Sequence, residues 1–363
     1  MHVTVVNGTA LTSFPTHDVL PVMVNAHTTL SLNVYSPLWR FQMMIMTNKT
    51  LNVRLLTDFS ECNYSCPYCI ASKIKTKFSR DAFVKICCEL SRVPYMLNIR
   101  IGVAGEFFLS KPLINGACFL SHLDNVRSVN LITNLSFHAH KYNFLLSELY
   151  KPKLALVASF HPHAIHTNEE MNAWLDTAKS MQNMIGPNFT IALVAYPPLL
   201  EHIGTMREHF TDHGFTSFVQ GFIGEYGGKP YPLSYTKEDK MLARKFCYSR
   251  HDYEFFFNMR PPGVCNAGYS SIFIDMSGTV SRCGLQASDP PLGNILEGID
   301  FIKNLYTGPR ICKATSCLCD TENMNTVVFN DHYEHTYLNQ HVYKYRFKDA
   351  KSVLLSNEWA ITY

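Results

Sequence analysis

The sequence lacks the features of a membrane-spanning protein or a secreted disulfide scaffold. Nowhere in its 363 residues do about eighteen apolar residues run together, so no transmembrane helix is expected. Twelve cysteines in a chain of this length are too few for a disulfide-rich secreted domain. Residues 1–10 do not show the basic-then-apolar layout of a signal peptide. These absences predict a soluble protein of a reducing compartment, the cytoplasm.

The chain also lacks a strong excess of charge. Its formal net charge is +3, and no block of like charge stands out. Nucleic-acid and membrane-surface binding both depend on clustered positive charge, so neither nucleic acid nor membrane is an expected partner. Hydrophobic residues make up 47% of the chain, which is enough for a sizeable core in one large domain or in two.

What the sequence does have is clustered cysteine. Cys62, Cys66 and Cys69 lie at spacing Cys-x3-Cys-x2-Cys, directly after a strand-like run at 51–56. Three thiolates can bind one metal centre and leave a fourth coordination position open. A structural zinc site normally closes that position with a fourth ligand. A four-iron cluster with one unligated iron has a use for it, because that iron can bind the amino-acid end of S-adenosylmethionine.

This loop resembles that of the radical S-adenosylmethionine superfamily. The family's pattern is Cys-x3-Cys-x-aromatic-Cys, and Tyr68 occupies the aromatic position. The resemblance implies that the three cysteines hold a [4Fe-4S] cluster that binds S-adenosylmethionine, with Tyr68 in the cofactor site. The alternative is a zinc knuckle, or half of a zinc site that a distant residue completes.

Strand-like and helix-like stretches alternate from residue 51 to residue 222. Six βα units rich in Val, Ile and Leu predict an α/β fold with a parallel sheet covered by helices. The resemblance implies its form, a partial (β/α)6 TIM-like barrel, in which sites lie at the C-terminal strand ends. Strands are predicted at 51–56, 97–103, 128–133, 153–160, 189–196 and 217–222, and helices at 80–91, 142–149, 169–184 and 199–212.

Candidate cofactor-binding residues follow the second predicted strand. Gly105 and Glu106 resemble the end of the family's Gly-Gly-Glu motif, which holds the ammonium group of S-adenosylmethionine; Ala104 replaces the first glycine. Gly105 lets the backbone approach a ligand closely, and Glu106 offers an acceptor beside it. The alternative is an ordinary strand-ending turn with a solvated glutamate.

Further candidates follow the third and fourth strands. Asn134 resembles the asparagine of the family's Thr-Asn-Gly, with Leu135 replacing the glycine. It either hydrogen-bonds the cofactor or caps the next helix. Ser159 matches a family position that often contacts the cofactor. His161 and His163 are candidate catalytic residues because a proton acceptor would be useful there; the alternative for each is a hydrogen-bonding surface histidine.

Residues 223–262 break the alternation of strands and helices. The stretch 224–232 is rich in turn-forming and aromatic residues. It is either a lid over the barrel mouth or a linker between domains. As a lid it would offer Glu225, a candidate catalytic residue, with Tyr226, Lys229 and Tyr231 as further substrate contacts.

A second set of cysteines lies near the C-terminus, and its first two members bracket a predicted hairpin with strands at 269–275 and 279–282. The spacing Cys-x12-Gly-x4-Cys resembles that of the SPASM and Twitch auxiliary domains of the same superfamily, which implies an auxiliary [4Fe-4S] cluster. Four thiolates suit zinc equally well, and that alternative stays open. The expected ligands are Cys265, Cys283 and Cys317, with Cys312 or Cys319 as the fourth.

The resemblance implies an oxidoreductase that reductively cleaves S-adenosylmethionine to a 5′-deoxyadenosyl radical, with an electron from a flavodoxin or ferredoxin. The radical takes a hydrogen atom from the substrate, and an auxiliary cluster that accepts an electron favours net oxidation. The expected organisation is an N-terminal extension packed on the barrel (1–50), the barrel (51–222), the lid or linker (223–262), the cluster domain (263–320) and a tail (321–363).

The substrate is predicted to be a small hydroxylated molecule, such as a sugar or an aminocyclitol. This follows from the polar, aromatic lid candidate and from the lack of an obvious peptide-recognition module. One alternative is a maturase that modifies a ribosomally synthesised peptide. Another, from a different class, is a non-catalytic zinc-binding scaffold.

Overall fold

A computed structural model describes residues 3–6, 9–12, 50–69, 78–246, 264–283 and 289–311. The chain divides into two units, Met1–Ile45 and Met46–Tyr363. In the first unit, β1 (Val3–Val6) and β2 (Thr9–Thr12) pair as an antiparallel hairpin. The predicted cluster ligands Cys312, Cys317 and Cys319 lie outside the described residues, as does the predicted tail.

Six parallel strands form the centre of the second unit, and a helix follows each of them. The six predicted strands are confirmed, with ends that differ by at most two residues. In chain order the elements are β3 (Thr50–Leu56), α1 (Arg80–Leu90), β4 (Met96–Gly102), α2 (Lys111–His122), β5 (Val126–Thr133), α3 (Ala139–Leu145), β6 (Leu154–Phe160), α4 (Asn168–Ile185), β7 (Phe189–Ala195), α5 (Leu200–Asp212), β8 (Ser217–Gly221), β9 (Gly224–Tyr226), β10 (Lys229–Tyr231) and α6 (Lys237–Phe246).

The helices differ from prediction in three places. Helix α3 begins three residues and ends four residues earlier than the predicted range 142–149. Phe144 is 77% exposed, so the apolar residues of this stretch do not form one buried face. Helices α2 and α6 are additions: Gly116 interrupts the pattern of α2, and only Ala243 and Phe246 are buried in α6.

Gly116 has a packing role in α2. A Cβ atom at this position would lie 2.7 Å from the Cζ atom of Phe83 on α1. Phe83 is fully buried, so the two helices approach each other closely because this side chain is missing.

The later part of the chain adds strands to the barrel sheet. β12 (Ser271–Asp275) and β13 (Thr279–Ser281) form the predicted antiparallel hairpin. β12 also pairs in parallel with β3 along its whole length. The resulting nine-stranded sheet has the order β14–β13–β12–β3–β4–β5–β6–β7–β8, where β14 is Gly293–Asn294. A separate antiparallel pair joins β11 (Val264–Cys265) and β15 (Arg310–Ile311).

The two faces of the barrel strands differ in polarity. On the inner face, Nδ2 of Asn98 donates to Oδ1 of Asn52 (3.0 Å), and the hydroxyl of Ser128 donates to Oδ1 of Asn98 (3.0 Å). These hydrogen bonds satisfy the buried amides across three neighbouring strands. The alternate side chains of β3, which are fully or nearly fully buried in the apolar core, are Leu51, Val53 and Leu55.

None of the helices in the described part of the chain is both long enough and apolar enough to cross a membrane.

Candidate active site

The C-terminal ends of the barrel strands surround a cavity of about 430 Å³. This is the edge at which parallel barrels carry their sites, and the volume suits a small-molecule ligand. The structure brings half of the predicted site residues together here, eight of sixteen. Those that line the cavity are Cys62, Cys66, Tyr68, Cys69, Gly105, Asn134, Ser159 and His161.

The cysteine loop is held in place by the residues that follow β5. Nδ2 of Asn134 donates to Oδ1 of Asn63 (2.9 Å) and lies 3.7 Å from Sγ of Cys62. Nδ2 of Asn63 in turn donates to the hydroxyl of Ser136 (2.7 Å). Asn134 therefore contacts the first cysteine, a role that neither of its predicted alternatives included.

The donor set fits the implied cluster. Cys62, Cys66 and Cys69 face one cavity, and three thiolates leave one iron of a [4Fe-4S] cluster for an exogenous ligand. Burial, and next the nearby Cys69 and Cys62, raise the pKa of Cys66 to about 12. This thiol therefore keeps its proton at neutral pH until a metal ion replaces that proton.

Gly105 is required by the backbone of the cysteine loop itself. The amide groups of Ala104 and Gly105 donate to the carbonyl of Phe59 at 2.9 and 3.0 Å. A Cβ atom on Gly105 would lie 2.6 Å from the carbonyl carbon of Glu61, and closer still to its oxygen. Only glycine allows this approach without a backbone shift, so Gly105 fixes the start of the loop as well as lining the cavity.

Glu106 has internal partners for both carboxylate oxygens. Oε1 accepts from the amide of Phe108 (3.0 Å) and from the hydroxyl of Thr133 (2.8 Å), and Oε2 accepts from the amide of Asn134 (2.6 Å). Glu106 is 1% exposed, so the alternative of a solvated glutamate is wrong. Burial raises the pKa of its carboxyl group, against the effect of these hydrogen bonds. The side chain joins the end of β4 to the end of β5.

Glu106→Gln is expected to lower the free energy of unfolding by about 1–3 kcal/mol, because its amide nitrogen cannot accept and leaves a buried donor unpaired. Chemical denaturation followed by circular dichroism measures this loss. The matched control is Glu208→Gln, an exposed carboxylate on α5, which is expected to stay within about 0.5 kcal/mol of wild type. Equal stability of the two variants would contradict the bridging role of Glu106.

Two histidines and a tyrosine form a hydrogen-bonded cluster at the cysteine loop. Oη of Tyr68 lies 2.9 Å from Nδ1 of His161 and 3.4 Å from Nδ1 of His163. Nδ1 of His161 lies 3.6 Å from Sγ of Cys66. Burial and the neighbouring His163 lower the pKa of His161 to about 4. At neutral pH this imidazole is therefore uncharged and carries a hydrogen on only one ring nitrogen. These histidines contact the cysteine loop and are not simply surface residues.

The segment after β8 begins at the cavity wall and continues as a tight hairpin. Gly227 and Gly228 adopt φ values of +58° and +73° at its turn, a conformation that favours glycine. The hydroxyl of Tyr235 donates to the carbonyl of Ala195 (2.7 Å) and accepts from the amide of Phe222 (3.0 Å). These bonds anchor the segment to the ends of β7 and β8.

The substrate contacts predicted on this hairpin fall into two groups: two tyrosines that pack against other aromatic rings, and two exposed charged residues. The ring of Tyr226 packs against Tyr196 with centroids 5.0 Å apart, and Tyr231 packs against Phe222 at 5.6 Å. Glu225 and Lys229 are exposed. Glu225 is not among the described residues that line the cavity, and its catalytic role stays a prediction.

Solved structures share this fold. The structure of anSMEcpe with bound AdoMet superposes with a TM-score of 0.52 and 14% identity, covering 84% of this chain and 93% of that one. A second anSMEcpe structure, with AdoMet and the Kp18Cys peptide, superposes with a TM-score of 0.50 and 16% identity, covering 71% of this chain and 81% of that one. The fold is that of the radical S-adenosylmethionine enzymes. Streptococcus suis SuiB bound to S-adenosylmethionine is also similar, with a TM-score of 0.49 and 14% identity, covering 77% of this chain and 73% of that one. No protein-family model matches the sequence, and no curated protein does either.

Within this radical S-adenosylmethionine fold, the second cysteine set is only partly described. Cys265 lies on β11 and Cys283 follows β13, and both are half-buried. Arg310, the register partner of Cys265, lies over the ring of Tyr306, 3.6 Å from its centroid, and Arg282, which precedes Cys283, is paired with Asp289. The auxiliary cluster and its ligands remain predictions, because the other candidate cysteines lie outside the described residues.

Two features of the site escaped the sequence analysis. Arg54 on β3 lines the cavity, and the signal for it is a charged residue at an inward-facing position of an apolar strand. Leu135 has a φ of +57° in the position where the superfamily pattern has glycine. Its amide donates to the hydroxyl of Thr133 (3.1 Å), and the side chain is 2% exposed. Burial of the leucine side chain offsets the cost of this backbone conformation.

Proposed function

We propose that this protein is a radical S-adenosylmethionine oxidoreductase. The observation that carries the proposal is that Cys62, Cys66 and Cys69 face one cavity at the mouth of a barrel of this fold. These three cysteines would hold a [4Fe-4S] cluster, which would supply the electron for reductive cleavage of S-adenosylmethionine to methionine and a 5′-deoxyadenosyl radical, and that radical would take a hydrogen atom from the substrate. The anSMEcpe structures, which contain AdoMet, support the use of this fold for that cofactor.

The residues of the chain bind and orient the cofactor. Asn134 and Ser159 contribute an amide and a hydroxyl group to the lining of the cavity, and these suit the polar groups of S-adenosylmethionine. Gly105 offers an unobstructed backbone beside the loop. Tyr68 contributes an aromatic ring next to the cysteines. Glu106 acts through Asn134, whose position it fixes, and is in this proposal an indirect contributor to cofactor binding.

The proposed substrate is a small hydroxylated molecule of the sugar or aminocyclitol type. The cavity at the barrel mouth has a modest volume, and the aromatic hairpin beside it suits the apolar face of a sugar ring. His161, His163 and Glu225 are the candidate proton acceptors. A peptide substrate is the alternative, and a similar structure, anSMEcpe, contains a bound peptide.

An auxiliary [4Fe-4S] cluster at Cys265 and Cys283 would accept the electron left on the substrate radical, which makes net oxidation the proposed outcome. The hairpin that leads to Cys283 pairs with β3, so both cysteine sets are connected to one sheet. The proposed electron donor is a flavodoxin or ferredoxin, and the proposed location is the cytoplasm.

One observation favours a second candidate, a zinc-binding scaffold. Sγ of Cys66 and one ring nitrogen from each of His161 and His163 lie within 4.8 Å of one another. Cysteine and histidine are the usual zinc ligands, and a fourth ligand would complete a tetrahedral site. In this alternative the two histidines are metal ligands and not proton acceptors.

Anaerobically reconstituted protein given dithionite and S-adenosylmethionine is expected to release 5′-deoxyadenosine, which liquid chromatography measures. Its His163→Ala variant is expected to keep the iron content of wild type, because this histidine is not a ligand of the proposed cluster. Stoichiometric zinc in wild-type protein that falls with His163→Ala, together with little iron, would instead establish the zinc scaffold.

A further inference from the structure

We infer that His161 is a positioning residue that donates a hydrogen bond from Nδ1 to the Cys66 thiolate and thereby raises the reduction potential of the cluster. The inference rests on the proposed function, since it concerns the cluster at Cys62, Cys66 and Cys69. It gives His161 a part in electron uptake, and does not require it to move a proton.

The geometry of the contact is that of an N–H···S hydrogen bond. Nδ1 of His161 lies 3.6 Å from Sγ of Cys66, across 95 residues of sequence. The imidazole ring is stacked on Tyr68, with centroids 6.0 Å apart and planes 20° apart. Tyr64 packs its edge against the same ring at 5.8 Å. Because two aromatic rings fix its orientation, the imidazole keeps Nδ1 directed at the sulfur.

The ligated state of Cys66 selects the tautomer of His161. A thiolate has no proton to donate, so Nδ1 of His161 must carry the hydrogen if the two atoms are to bond. Oη of Tyr68 is the competing acceptor for that hydrogen at 2.9 Å. The Tyr68 hydroxyl then has its own acceptor, Nδ1 of His163 at 3.4 Å. In this arrangement the Nδ1 hydrogen of His161 and the hydroxyl hydrogen of Tyr68 each have an acceptor. Nε2 of His163 then carries the hydrogen of that ring and has no hydrogen-bond partner among the described residues.

A donor at a cluster thiolate favours the reduced state. Reduction adds one electron and no proton, so negative charge on the cluster and its thiolates increases. The N–H dipole of His161 stabilises that extra charge at Cys66, and hydrogen bonds to sulfur are among the factors that set cluster potentials. A cluster that must accept an electron before S-adenosylmethionine is cleaved gains a more accessible reduced state.

The test is the reduction potential of the reconstituted variants, followed by electron paramagnetic resonance; the signal that S-adenosylmethionine perturbs identifies the cluster concerned. His161→Phe keeps an aromatic ring but removes the donor. At a fixed solution potential, it is expected to lower the ratio of reduced to oxidised cluster about tenfold, which is 59 mV for a one-electron couple. His161→Gln, which retains an N–H donor, is expected to recover part of this shift.

Two further variants distinguish a specific effect on the reduction potential of the cluster from a general disruption of the site. Tyr68→Phe removes the competing acceptor, so it is expected to shift the ratio in the opposite direction, towards the reduced cluster. His202→Phe is the matched control, because this exposed histidine on α5 does not line the cavity, and its potential is expected to equal that of wild type.

The outcomes separate the inference from the proposed function. If wild-type protein cleaves S-adenosylmethionine and His161→Phe has the same reduction potential as wild type, the inference is overturned and the proposed function stands. If His161→Phe binds no cluster, Tyr68→Phe decides: a rise in potential supports the inference, and no shift or a fall overturns it. Wild-type protein without an iron–sulfur signal overturns the proposed function and the inference with it.

Discussion

Cys62→Ala/Cys66→Ala/Cys69→Ala is expected to bind about four irons where reconstituted wild-type protein binds about eight, since each [4Fe-4S] cluster holds four. It is also expected to form no 5′-deoxyadenosine. All three thiols face the same cavity, and their loss leaves the proposed cluster without a protein ligand. Iron and acid-labile sulfide, measured on anaerobically purified protein, test this expectation.

The matched control replaces three cysteines that do not line the cavity, in the variant Cys87→Ala/Cys88→Ala/Cys118→Ala. Cys87 is buried in α1, and Cys118 donates to the carbonyl of Glu148. Both settings are those of packed or surface thiols and not of ligands, so the iron content is expected to match wild type.

The iron counts distinguish three outcomes. A fall from about eight irons to about four supports two clusters, one at each cysteine set. Four irons that vanish in the variant would keep the radical mechanism but remove the auxiliary cluster, and with it the case for oxidation. Zinc with little iron in wild-type protein would contradict the enzyme proposal and favour the scaffold.

Gly105→Ala is expected to destabilise the protein by about 3 kcal/mol, the upper end of the usual cost of overpacking. Its Cβ atom would overlap the backbone of Glu61, which accepts a hydrogen bond from the amide of Glu106 (2.8 Å) and cannot move without losing it. Because the same movement displaces the cysteine loop, iron binding is expected to fall as well. Thermal unfolding and iron analysis of one preparation measure both effects.

Gly204→Ala is the matched control for this substitution. Gly204 lies within α5, and a Cβ atom there would meet nothing within 4 Å. The change is expected to stabilise the protein by about 0.5–1 kcal/mol, because alanine is the better helix former. A Gly105→Ala variant as stable as this control, with full iron, would show that the close approach to Glu61 is not needed.

The strands of the barrel were predictable because each depends on a short local pattern. A short apolar run that is bounded by turn signals and rich in β-branched residues favours a buried strand, and all six strands lie within two residues of their predicted ends. Helix α2 was harder to predict because Gly116 weakens its local pattern. The packing contact that requires a glycine at position 116 is with Phe83, which lies on another helix.

The role of Glu106 could not be predicted from the residues next to it in the sequence. Its predicted partners were a cofactor or solvent, whereas its described partners include Thr133 and Asn134, 27 and 28 residues further along the chain. Those contacts depend on the parallel pairing of β4 with β5. No pattern in the residues around Glu106 records that pairing, so its burial could not be read from them.

The six βα units, the hairpin at β12 and β13, and the grouping of Cys62, Cys66 and Cys69 in one loop could be predicted from the sequence, because each depends on the spacing between near neighbours. The position of β12 beside β3 and the contact of His161 with Cys66 became visible only in the folded chain. Both contacts join residues far apart in the chain. They follow from strand order and register, which the packing of the whole sheet sets.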